Sequence, residues 1–516
     1  MRKYLYLTVF ISGLTSLALE MAASRLMGNV FGTSNLVWAS IIGLILIFLA
    51  VGYFVGGPWA DRSPRYTTFY QILTWAAIAI AVIPLIARPV MRLAANGFDQ
   101  LQLGILFGSF ASVMILLSVP TILLGTASPF AVRLALQGTV QAGGVAGRIY
   151  AVSTLGSFVG TFLPVLVLVP LIGIYRTFLA LSALLMAFAL FGLWFSAGWR
   201  KLLPYLWAPV VVIFLLVRGL PGTDKTTQGL IFEKDSAYNY IQVLEENGYH
   251  LLRLNEGQGV HSIYHPDTLR YFGPWEQVLV GPFFNPAPYD PANVKRIAIV
   301  GLAAGTTARQ ATAVFGPVQI DGIEIDPEIV RAGQQYFGMT MPNLNVIVQD
   351  GRWALEHSPH TYQIISVDAY RPPYIPAHLT TREFFQTAYD HLSADGVLVI
   401  NVGRAPEDRR LINSLAATIG EIFPSIHVMD IPNTFNSILY ATVQPTTPDN
   451  LINNIVYLEG SAHAHPLLTE TARLTLAALQ PAPEPGVVFT DDLAPIEWIT
   501  NDMIVRYLFA NPEAVQ

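Results

Sequence analysis

Cysteine is absent from the 516 residues of the chain, and charged residues make up only 12% of it. Without thiols the chain has no disulfide bond, no thiolate metal site and no cysteine nucleophile. The ten histidines show no metal-ligand spacing, since His463-Ala464-His465 is an isolated pair in a predicted loop. A basic nucleic-acid footprint is missing as well. We therefore expect no metal centre and no nucleic-acid partner.

The few charges are distributed unevenly along the chain. Residues 1–219 carry 13 Lys and Arg against 3 Asp and Glu, a net charge of +10, whereas the remainder carries 16 basic and 32 acidic residues, a net charge of −16. Hydrophobic residues make up 53% of the chain and the mean hydropathy is +0.47, which is too apolar for a purely soluble protein of this length. The composition predicts a multi-pass transmembrane domain over 1–219 and an acidic soluble part after it.

Apolar runs long enough to cross a bilayer fill the first part. They cover roughly residues 4–24, 36–57, 69–87, 103–124, 152–173, 177–196 and 202–217. The first run lacks a convincing cleavage site and is followed by others, so we interpret it as an uncleaved span and not as a signal peptide. The last run is short and contains Pro204 and Pro209, which favours an interfacial or half-inserted segment. A missed span near Val119–Leu136 stays open.

Basic residues predict the orientation of these spans. The clusters that would face the cytoplasm are Arg2-Lys3, the Asp61–Arg65 turn, the Arg133–Arg148 connection and Arg200-Lys201. That orientation is coherent through six spans, whereas a seventh full span would place the acidic part outside. We predict a protein of the inner (plasma) membrane, with the lipid bilayer as a partner and a cytoplasmic C-terminal part.

Glu20 is the only acidic residue within the apolar runs, and a charge at bilayer depth costs on the order of 3 kcal/mol unless it is paired or hydrated. Arg25 is its predicted partner, either in a structural ion pair or in a substrate or ion site. The segment Gly52–Gly57, followed by Ala60-Asp61-Arg62, resembles the loop between helices 2 and 3 of major-facilitator transporters. Small-residue faces also serve plain helix packing, so transport and packing both stay open.

The most informative segment of the soluble part is the small-residue turn Gly301–Thr307, which follows the apolar run Arg296–Val300. Small residues let the backbone approach a ligand closely, and the next helix offers free N–H groups at its N-terminus. Glu324 lies 23 residues after Gly301 at the end of a second predicted strand, where a carboxylate can accept hydrogen bonds from ribose hydroxyls. The pattern predicts a nucleoside site, although two glycines also fit a plain turn.

Alternating strand and helix patterns predict a mainly parallel, doubly wound sheet over 291–516, preceded by a small β-hairpin subdomain over 220–290. We expect parallel strands at about 296–300, 319–325, 345–349, 363–367 and 396–402, helices at 305–315, 327–337, 350–356 and 381–393, and antiparallel strands at 426–431 and 437–443. Ligands bind at the carboxyl edge of such sheets, where Asp350 and Asp368 would join Glu324. A single acid at a strand end is often only a helix N-cap, which stays an alternative for Asp350.

Short segments along nearly the whole chain stand in the order known from one family. They are Leu19-Glu20, Leu123–Pro129, Gly147–Ser157, Ser236–Val243, Leu254–Gly257, Ile323–Asp326, Gln349–Gly351, Val367–Ala369 and Thr490–Glu497. The chain thereby resembles the spermidine synthase (polyamine aminopropyltransferase) family, and in particular its bacterial membrane-fused branch. The resemblance implies a Rossmann-like domain of the adenosylmethionine-dependent transferase type behind the membrane domain. It also implies dimerisation through the soluble domains.

The resemblance implies aminopropyl transfer from decarboxylated S-adenosylmethionine, as a co-substrate and without a prosthetic group, to a small amine such as putrescine. The donor-binding residues would be Gly301, Gly305, Thr307, Glu324 and Asp350. Glu324 would bind the ribose and Asp350 the adenine. Asp368 would be the catalytic residue that takes a proton from the attacking amine or orients it.

The chain departs from the family's pattern at the two amines. The family's aspartate for the donor's primary amine is Ala304 here, and the second acid of its amine-binding loop is Arg371. Glu276 is the candidate for the one residue of the family's tyrosine-histidine-glutamate motif that this chain retains. The predicted acceptor pocket consists of Tyr238, Tyr370, Arg371 and Glu276. Losing two carboxylates and gaining a cation should weaken binding of a dication, unless Arg371 pairs with Asp368 or Glu383.

Two other functions therefore stay open beside aminopropyl transfer. One is methyl or alkyl transfer from S-adenosylmethionine to a neutral or acidic acceptor. The other is a transporter or sensor with a degenerate synthase domain. A methyltransferase needs a partner for the donor carboxylate, and a transporter needs Glu20 but not Asp368.

Overall fold

A computed structural model describes residues 1–31, 35–99, 104–136, 142–219, 227–255, 259–370 and 374–510. The chain divides into two compact units. One is helical and covers residues 1–226 together with 235–237, and the other contains nearly all of the remaining residues and both β-sheets.

Long apolar helices build the first unit. They are α1 (Arg2–Phe31), α2 (Asn35–Arg62), α3 (Tyr66–Asp99), α4 (Gly104–Gly125), α5 (Ala127–Ala135), α6 (Ala142–Leu163), α7 (Val169–Ile172), α8 (Ile174–Ala197) and α9 (Trp207–Arg218). A π-helical turn, Pro164–Leu168, joins α6 to α7. Because these helices are apolar, their side chains are buried against neighbouring helices or against lipid.

Six candidate spans within the described residues are long and apolar enough to cross a membrane. The last predicted run is a helix pair, Trp199–Tyr205 and Trp207–Arg218, that is bent by 48°. The additional span considered near Val119–Leu136 is no separate element, because α5 continues α4 within one candidate span, Gly108–Ala135. Asp61 Oδ1 lies 2.9 Å from Arg133 Nε, so the end of α2 and the end of α5 share one face of the unit.

Glycines let the helices of this unit approach closely. A Cβ at Gly156 would lie 2.0 Å from the carbonyl oxygen of Phe10, and one at Gly52 would lie 2.4 Å from the carbonyl oxygen of Ile122. The segment Gly52–Gly57 thus brings α2 against the end of α4. Close helix packing is therefore the structural role seen for the segment that resembles a transporter loop.

The predicted pairing of Glu20 with Arg25 stays a prediction. Both side chains are half-buried, and the Arg25 guanidinium donates a hydrogen bond to the backbone carbonyl of Ser236. Residues five apart lie about 140° apart around an α-helix, whereas side-chain partners on one helix stand three or four residues apart.

The second unit begins with a four-stranded sheet in the order β1-β2-β3-β4. Its strands are β1 (Leu230–Asp235), β2 (Tyr240–Glu246), β3 (Tyr249–Leu254) and β4 (Val260–Tyr264). The β2–β3 connection is Asn247-Gly248, with φ values of 53° and 82°. Two successive left-handed residues are what a two-residue hairpin turn of type I′ requires, and Asn-Gly is its preferred sequence.

A seven-stranded sheet follows in the order β10-β11-β9-β8-β5-β6-β7. Its strands are β5 (Arg296–Val300), β6 (Gln319–Glu324), β7 (Leu344–Val348), β8 (Tyr362–Val367), β9 (Leu392–Gly403), β10 (Ser425–Asp430) and β11 (Asn436–Thr442). The first five pair in parallel, and β10 and β11 complete the sheet antiparallel. The fold class predicted from the sequence is confirmed.

Helices cover both faces of this sheet. They are α10 (Pro274–Gln277), α11 (Thr306–Phe315), α12 (Pro327–Tyr336), α13 (Gly351–Glu356), α14 (Arg382–Asp390), α15 (Arg410–Gly420), α16 (Pro448–Gly460), α17 (Pro466–Ala477) and α18 (Ile496–Ala510). Alternate residues of β5 enter different cores: Ile297 and Ile299 lie in one, Ala298 and Val300 in the other. Burial on both faces explains why the strands read as unbroken apolar runs.

The position of β5 between β6 and β8 fixes where a ligand can enter. The chain first passes from β5 to β6 and β7 on one side and then crosses to β8 on the other. At such a reversal a crevice opens outside the carboxyl ends of the two strands. Gly301 follows β5 and Asp368 follows β8, so both lie at this crevice.

Candidate active site

The turn after β5 requires glycine. Gly301 has a φ of 90° and Gly305 a φ of 84°, both in the left-handed region. A Cβ at Gly301 would lie 2.5 Å from the carbonyl oxygen of Asp368, so only glycine lets the turn approach the end of β8 this closely. Gly305 is the N-cap of α11, and Thr307 is buried in the first turn of that helix. The helix N-terminus thus starts at the crevice.

Glu324 lies under this turn at the end of β6. Its carboxylate accepts hydrogen bonds from the backbone N–H of Ala303 at 2.9 Å and of Asp326 at 3.1 Å. The side chain is buried, and this burial raises its pKa to about 7. A carboxylate has about four acceptor positions, so two remain for the hydroxyls of a ligand.

Asp350 follows β7 and uses both of its oxygens. Oδ1 accepts a hydrogen bond from the backbone N–H of Trp353 at 3.0 Å, which makes Asp350 the N-cap of α13. Oδ2 lies 2.9 Å from Nε2 of His378, and both side chains are partly exposed. The capping role considered from the sequence is therefore present, and a ligand would share Oδ2 with His378.

Asp368 and its partners form a network at the ends of β8 and β9. Asn401 Nδ2 donates to Asp368 Oδ1 at 2.9 Å. The Tyr370 hydroxyl donates to the Asn401 carbonyl at 3.1 Å and accepts from the Gly403 backbone N–H at 2.6 Å. Burial raises the pKa of Asp368 to about 6. The carboxylate is thus held in place and can take up a proton near neutral pH.

A cavity of about 410 Å³ opens beside this network, and Ala303, Asp368, Tyr370 and Asn401 are among its lining residues. Within the described part of the chain, four lining residues carry a buried polar atom without a hydrogen-bond partner. The atoms are His261 Nε2, Asn401 Oδ1, Arg404 Nε and Thr500 Oγ1. Because buried polar atoms are normally paired, their convergence on one cavity indicates a ligand site. Within the described ranges no group of His, Asp and Glu side chains could hold a metal ion.

The predicted acceptor residues do not all come together. Tyr370 lines the cavity, whereas Tyr238 is 45% exposed and is not among the lining residues. Arg371 lies outside the described residues.

The prediction that Glu276 lines the acceptor pocket is not supported by its contacts. Its buried carboxylate accepts from the backbone N–H of Gly273 at 3.2 Å and from Gln310 Nε2 at 3.1 Å. As the third residue of α10 it closes a capping arrangement on the helix N-terminus. Its neighbours Pro274 and Trp275 line the cavity instead.

Ala304 faces away from the crevice. Its backbone N–H donates to Ser262 Oγ at 2.9 Å, and the residue is buried in an apolar cluster with Ile329 and Ala332. The position thus supplies no group that could bind an ammonium.

Four cavity-lining residues were not predicted from the sequence: His261, Asn401, Arg404 and Thr500. A signal existed for Asn401, since it is the one polar residue in the apolar run Val397–Val402 of a buried strand. The other three lie far apart in sequence, on β4, after β9 and on α18. Their convergence depends on the tertiary fold and leaves no local pattern.

Comparisons with known proteins place this architecture in a family. The model of the spermine/spermidine synthase domain matches residues 284–453, which contain the whole seven-stranded sheet. A probable polyamine aminopropyl transferase of Bifidobacterium longum is 30% identical over 307 residues, which cover 56% of this chain and 66% of that protein. The polyamine aminopropyltransferase of Vibrio vulnificus is 29% identical over 234 residues, 43% of this chain and 75% of that one. The eEF1A lysine and N-terminal methyltransferase of Mus musculus is 29% identical over 159 residues, 28% of this chain and 22% of that one.

Solved structures give similar matches. A probable spermidine synthase from Corynebacterium glutamicum is 20% identical and covers 52% of this chain and 99% of its own, with a TM-score of 0.39. Spermidine synthase from Thermotoga maritima is 21% identical, covers 43% and 77%, and has a TM-score of 0.35. With the family model spanning the sheet and the curated relatives extending over its flanks, the chain belongs to the spermine/spermidine synthase family, as a member that carries an N-terminal block of long apolar helices.

Proposed function

We propose that the protein is a membrane-bound transferase that moves an aminopropyl group from decarboxylated S-adenosylmethionine to an amine. The observation that carries the proposal is the position of Asp368: a half-buried carboxylate, held by Asn401, at the crevice that also contains the turn at Gly301. Membership of the family supports the same reaction.

The donor would lie along the edge from β7 to β5. Glu324 binds the ribose with the two acceptor positions that the backbone leaves free. Asp350 accepts from the adenine amino group through Oδ2, displacing His378. Gly301, Gly305 and Thr307 surround the sulfonium-bearing arm, where the N-terminus of α11 begins.

The chemistry needs alignment and one base. The amine nitrogen attacks the propyl carbon next to the sulfonium, the C–S bond breaks, and its electron pair leaves with sulfur as methylthioadenosine. The nitrogen then carries an extra proton, which Asp368 accepts. A sulfonium is an excellent leaving group, so placing the amine in line with the C–S bond and removing its proton account for the catalysis.

The direct test is product analysis. Detergent-purified protein is incubated with decarboxylated S-adenosylmethionine and a panel of amines, and methylthioadenosine and the aminopropylated amine are measured by mass spectrometry. The proposal predicts the two products in equal amounts with at least one amine. Methylthioadenosine without an alkylated amine, or no release with any amine, would contradict it.

The raised pKa of Asp368 predicts a pH dependence. The residue must be ionised to accept a proton, and its pKa of about 6 lies above the ordinary value. Below pH 6 the rate should therefore fall by about tenfold per pH unit. Above about pH 7 this dependence should disappear, and only ionisation of the amine should still change the rate. Rates measured from pH 5 to 9 check this, and the Asp368→Asn variant should lack the limb near pH 6.

Two substitutions separate the roles of Asp350. Asn caps a helix as well as Asp does but presents an amide where the adenine amino group needs an acceptor. Asp350→Asn should weaken donor binding about tenfold with little change in thermal stability, whereas Asp350→Ala should also destabilise the fold by about 1 kcal/mol. Calorimetric titration and thermal unfolding measure the two effects. Wild-type donor affinity in the Asn variant would reduce Asp350 to a helix cap.

Ala304 favours methyl transfer as a second candidate function. This position offers no acid to the primary amine of a decarboxylated donor, because it is buried in an apolar cluster. A methyltransferase among the relatives points the same way. Ordinary S-adenosylmethionine would then be the donor, and a methylated acceptor would replace the aminopropylated one in the product analysis.

We further propose that the transferase unit faces the cytoplasm from the inner (plasma) membrane. Six spans, an even number, return the chain to the side on which it starts, and the bent pair Trp199–Arg218 then stays at the interface. The basic Arg2-Lys3 start favours the cytoplasm for that side. A fluorescent protein that folds only in the cytoplasm, fused to the C-terminus, should fluoresce; an active periplasmic phosphatase fusion would contradict this orientation.

A further inference from the structure

The described lining of the cavity beside Asp368 offers one carboxylate, which suits one ammonium group. We infer that the acceptor is a monoamine with an apolar or aromatic body rather than a diamine. The inference rests on the proposed aminopropyl transfer and specifies the substrate class of the same site.

The described residues that line the cavity include few charged side chains. Among its described lining residues, Asp368 is the only acid and Arg404 the only Lys or Arg. His261 also lines it and is neutral near pH 7, because burial lowers its pKa to about 4. A diamine at neutral pH carries two ammonium groups, so a second carboxylate would be required, and the described lining supplies none.

Arg404 retains positive charge despite its partners. Its Nε lies 3.6 Å from Asp430 Oδ1, and its Nη2 donates to the carbonyl of Thr434 at 3.1 Å. Asp430 is also bound by Arg409 Nη1 at 2.8 Å, and Ser437 Oγ donates to it as well. Two guanidinium groups thus share one carboxylate, which leaves the group with a net charge of about +1 next to the cavity.

The course of β9 separates this charge from Asp368. Asn401 is bonded to Asp368, and Arg404 follows it by three residues, just past the end of the strand. Three strand residues span roughly 10 Å. The backbone N–H of Arg404 donates to the Phe435 carbonyl at 2.7 Å, which fixes the chain there. An extended diamine with one nitrogen at Asp368 would direct the other toward Arg404.

The cavity walls suit an apolar body. Its apolar and aromatic lining residues include Trp275, Ile375, Leu411, Phe435, Met503 and Tyr507. Phe435 and Tyr507 contact each other edge to face, with ring centroids 5.6 Å apart. Arg404 Nε and Thr500 Oγ1, which have no hydrogen-bond partner, also belong to the lining and carry no negative charge. The far end of the acceptor is accordingly neutral or hydrogen-bond accepting.

A matched pair of amines tests the inference. Hexylamine and hexamethylenediamine have the same chain and differ by one terminal ammonium. Each is titrated calorimetrically into the detergent-purified full chain, with and without methylthioadenosine, so that binding is measured without turnover. We expect hexylamine to bind at least tenfold more tightly. Equal or tighter binding of the diamine, or binding of neither amine, would overturn the inference.

Variants of Arg404 provide the charge control. Arg404→Gln should abolish the preference, and Arg404→Glu should reverse it in favour of the diamine, while thermal unfolding shows whether each variant is folded. A preference that survives in a folded Gln variant would also overturn the inference.

Methylthioadenosine release distinguishes failure of the proposed function from failure of the monoamine inference. If putrescine supports methylthioadenosine release and butylamine does not, the transferase proposal stands and the monoamine inference falls. If no amine supports release although hexylamine binds preferentially, the transferase proposal fails.

Discussion

Replacing Asp368 by Asn should lower the turnover number by about 100-fold to 10,000-fold, the range over which a positioned general base contributes. Asn is close to isosteric with Asp, and its side-chain oxygen can keep the hydrogen bond that Asn401 donates to Asp368. The variant loses only the capacity to take a proton. Donor affinity should stay within about threefold of wild type, because in our proposal the turn and Glu324 bind the donor and the base does not.

Turnover is measured as methylthioadenosine release and donor affinity by calorimetry on the same preparation. Asp267→Asn is a matched control, since this aspartate lies exposed in the loop after β4. The control should behave as wild type. An Asp368→Asn variant that retains a third of the wild-type turnover would remove Asp368 from the reaction.

The second large effect concerns Glu324. Its carboxylate accepts from two backbone N–H groups, of Ala303 and Asp326, and in our proposal from the ribose hydroxyls as well. In Glu324→Gln one of the two oxygens becomes an NH₂ donor, so at least one charge-assisted acceptor position is lost. A hydrogen bond to a charged group contributes about 1.5–3 kcal/mol. Donor affinity should therefore fall about 10-fold to 100-fold.

Calorimetry on the folded fraction measures this loss, and Glu328→Gln is its control. The control makes the same substitution four residues further on, where Glu328 pairs with Lys234 of β1 and with Arg331 of α12. The control should bind donor as wild type does. Glu324→Gln within threefold of wild-type affinity would mean that Glu324 only holds the turn.

The edge of the sheet was predictable from the sequence for physical reasons. Strands buried on both faces are unbroken apolar runs, and parallel strands end at one common edge. The prediction therefore brought Gly301, Glu324, Asp350 and Asp368 to one side, where the structure has them. The predicted antiparallel pairing of the last two strands, β10 and β11, is confirmed.

A side chain can fit a motif and still take another local role, which the sequence alone does not reveal. Glu276 matched a motif, but a carboxylate three residues into a helix is also a capping group, and the structure uses it so. The cavity lining combines β4, β9 and α18, and such long-range convergence has no signature in a single sequence. The short amphipathic helices α15, α16 and α17 also escaped prediction.

The central claim is that this site binds a decarboxylated adenosyl donor beside a base. It is tested most directly by calorimetric titration of the detergent-purified protein with decarboxylated S-adenosylmethionine and with S-adenosylmethionine. The buried Glu324 and the half-buried Asp368 border the crevice and should repel the carboxylate that only the second ligand carries. We expect the decarboxylated donor to bind at least tenfold more tightly. Tighter binding of S-adenosylmethionine would replace aminopropyl transfer by methyl transfer, and binding of neither would contradict the donor site itself.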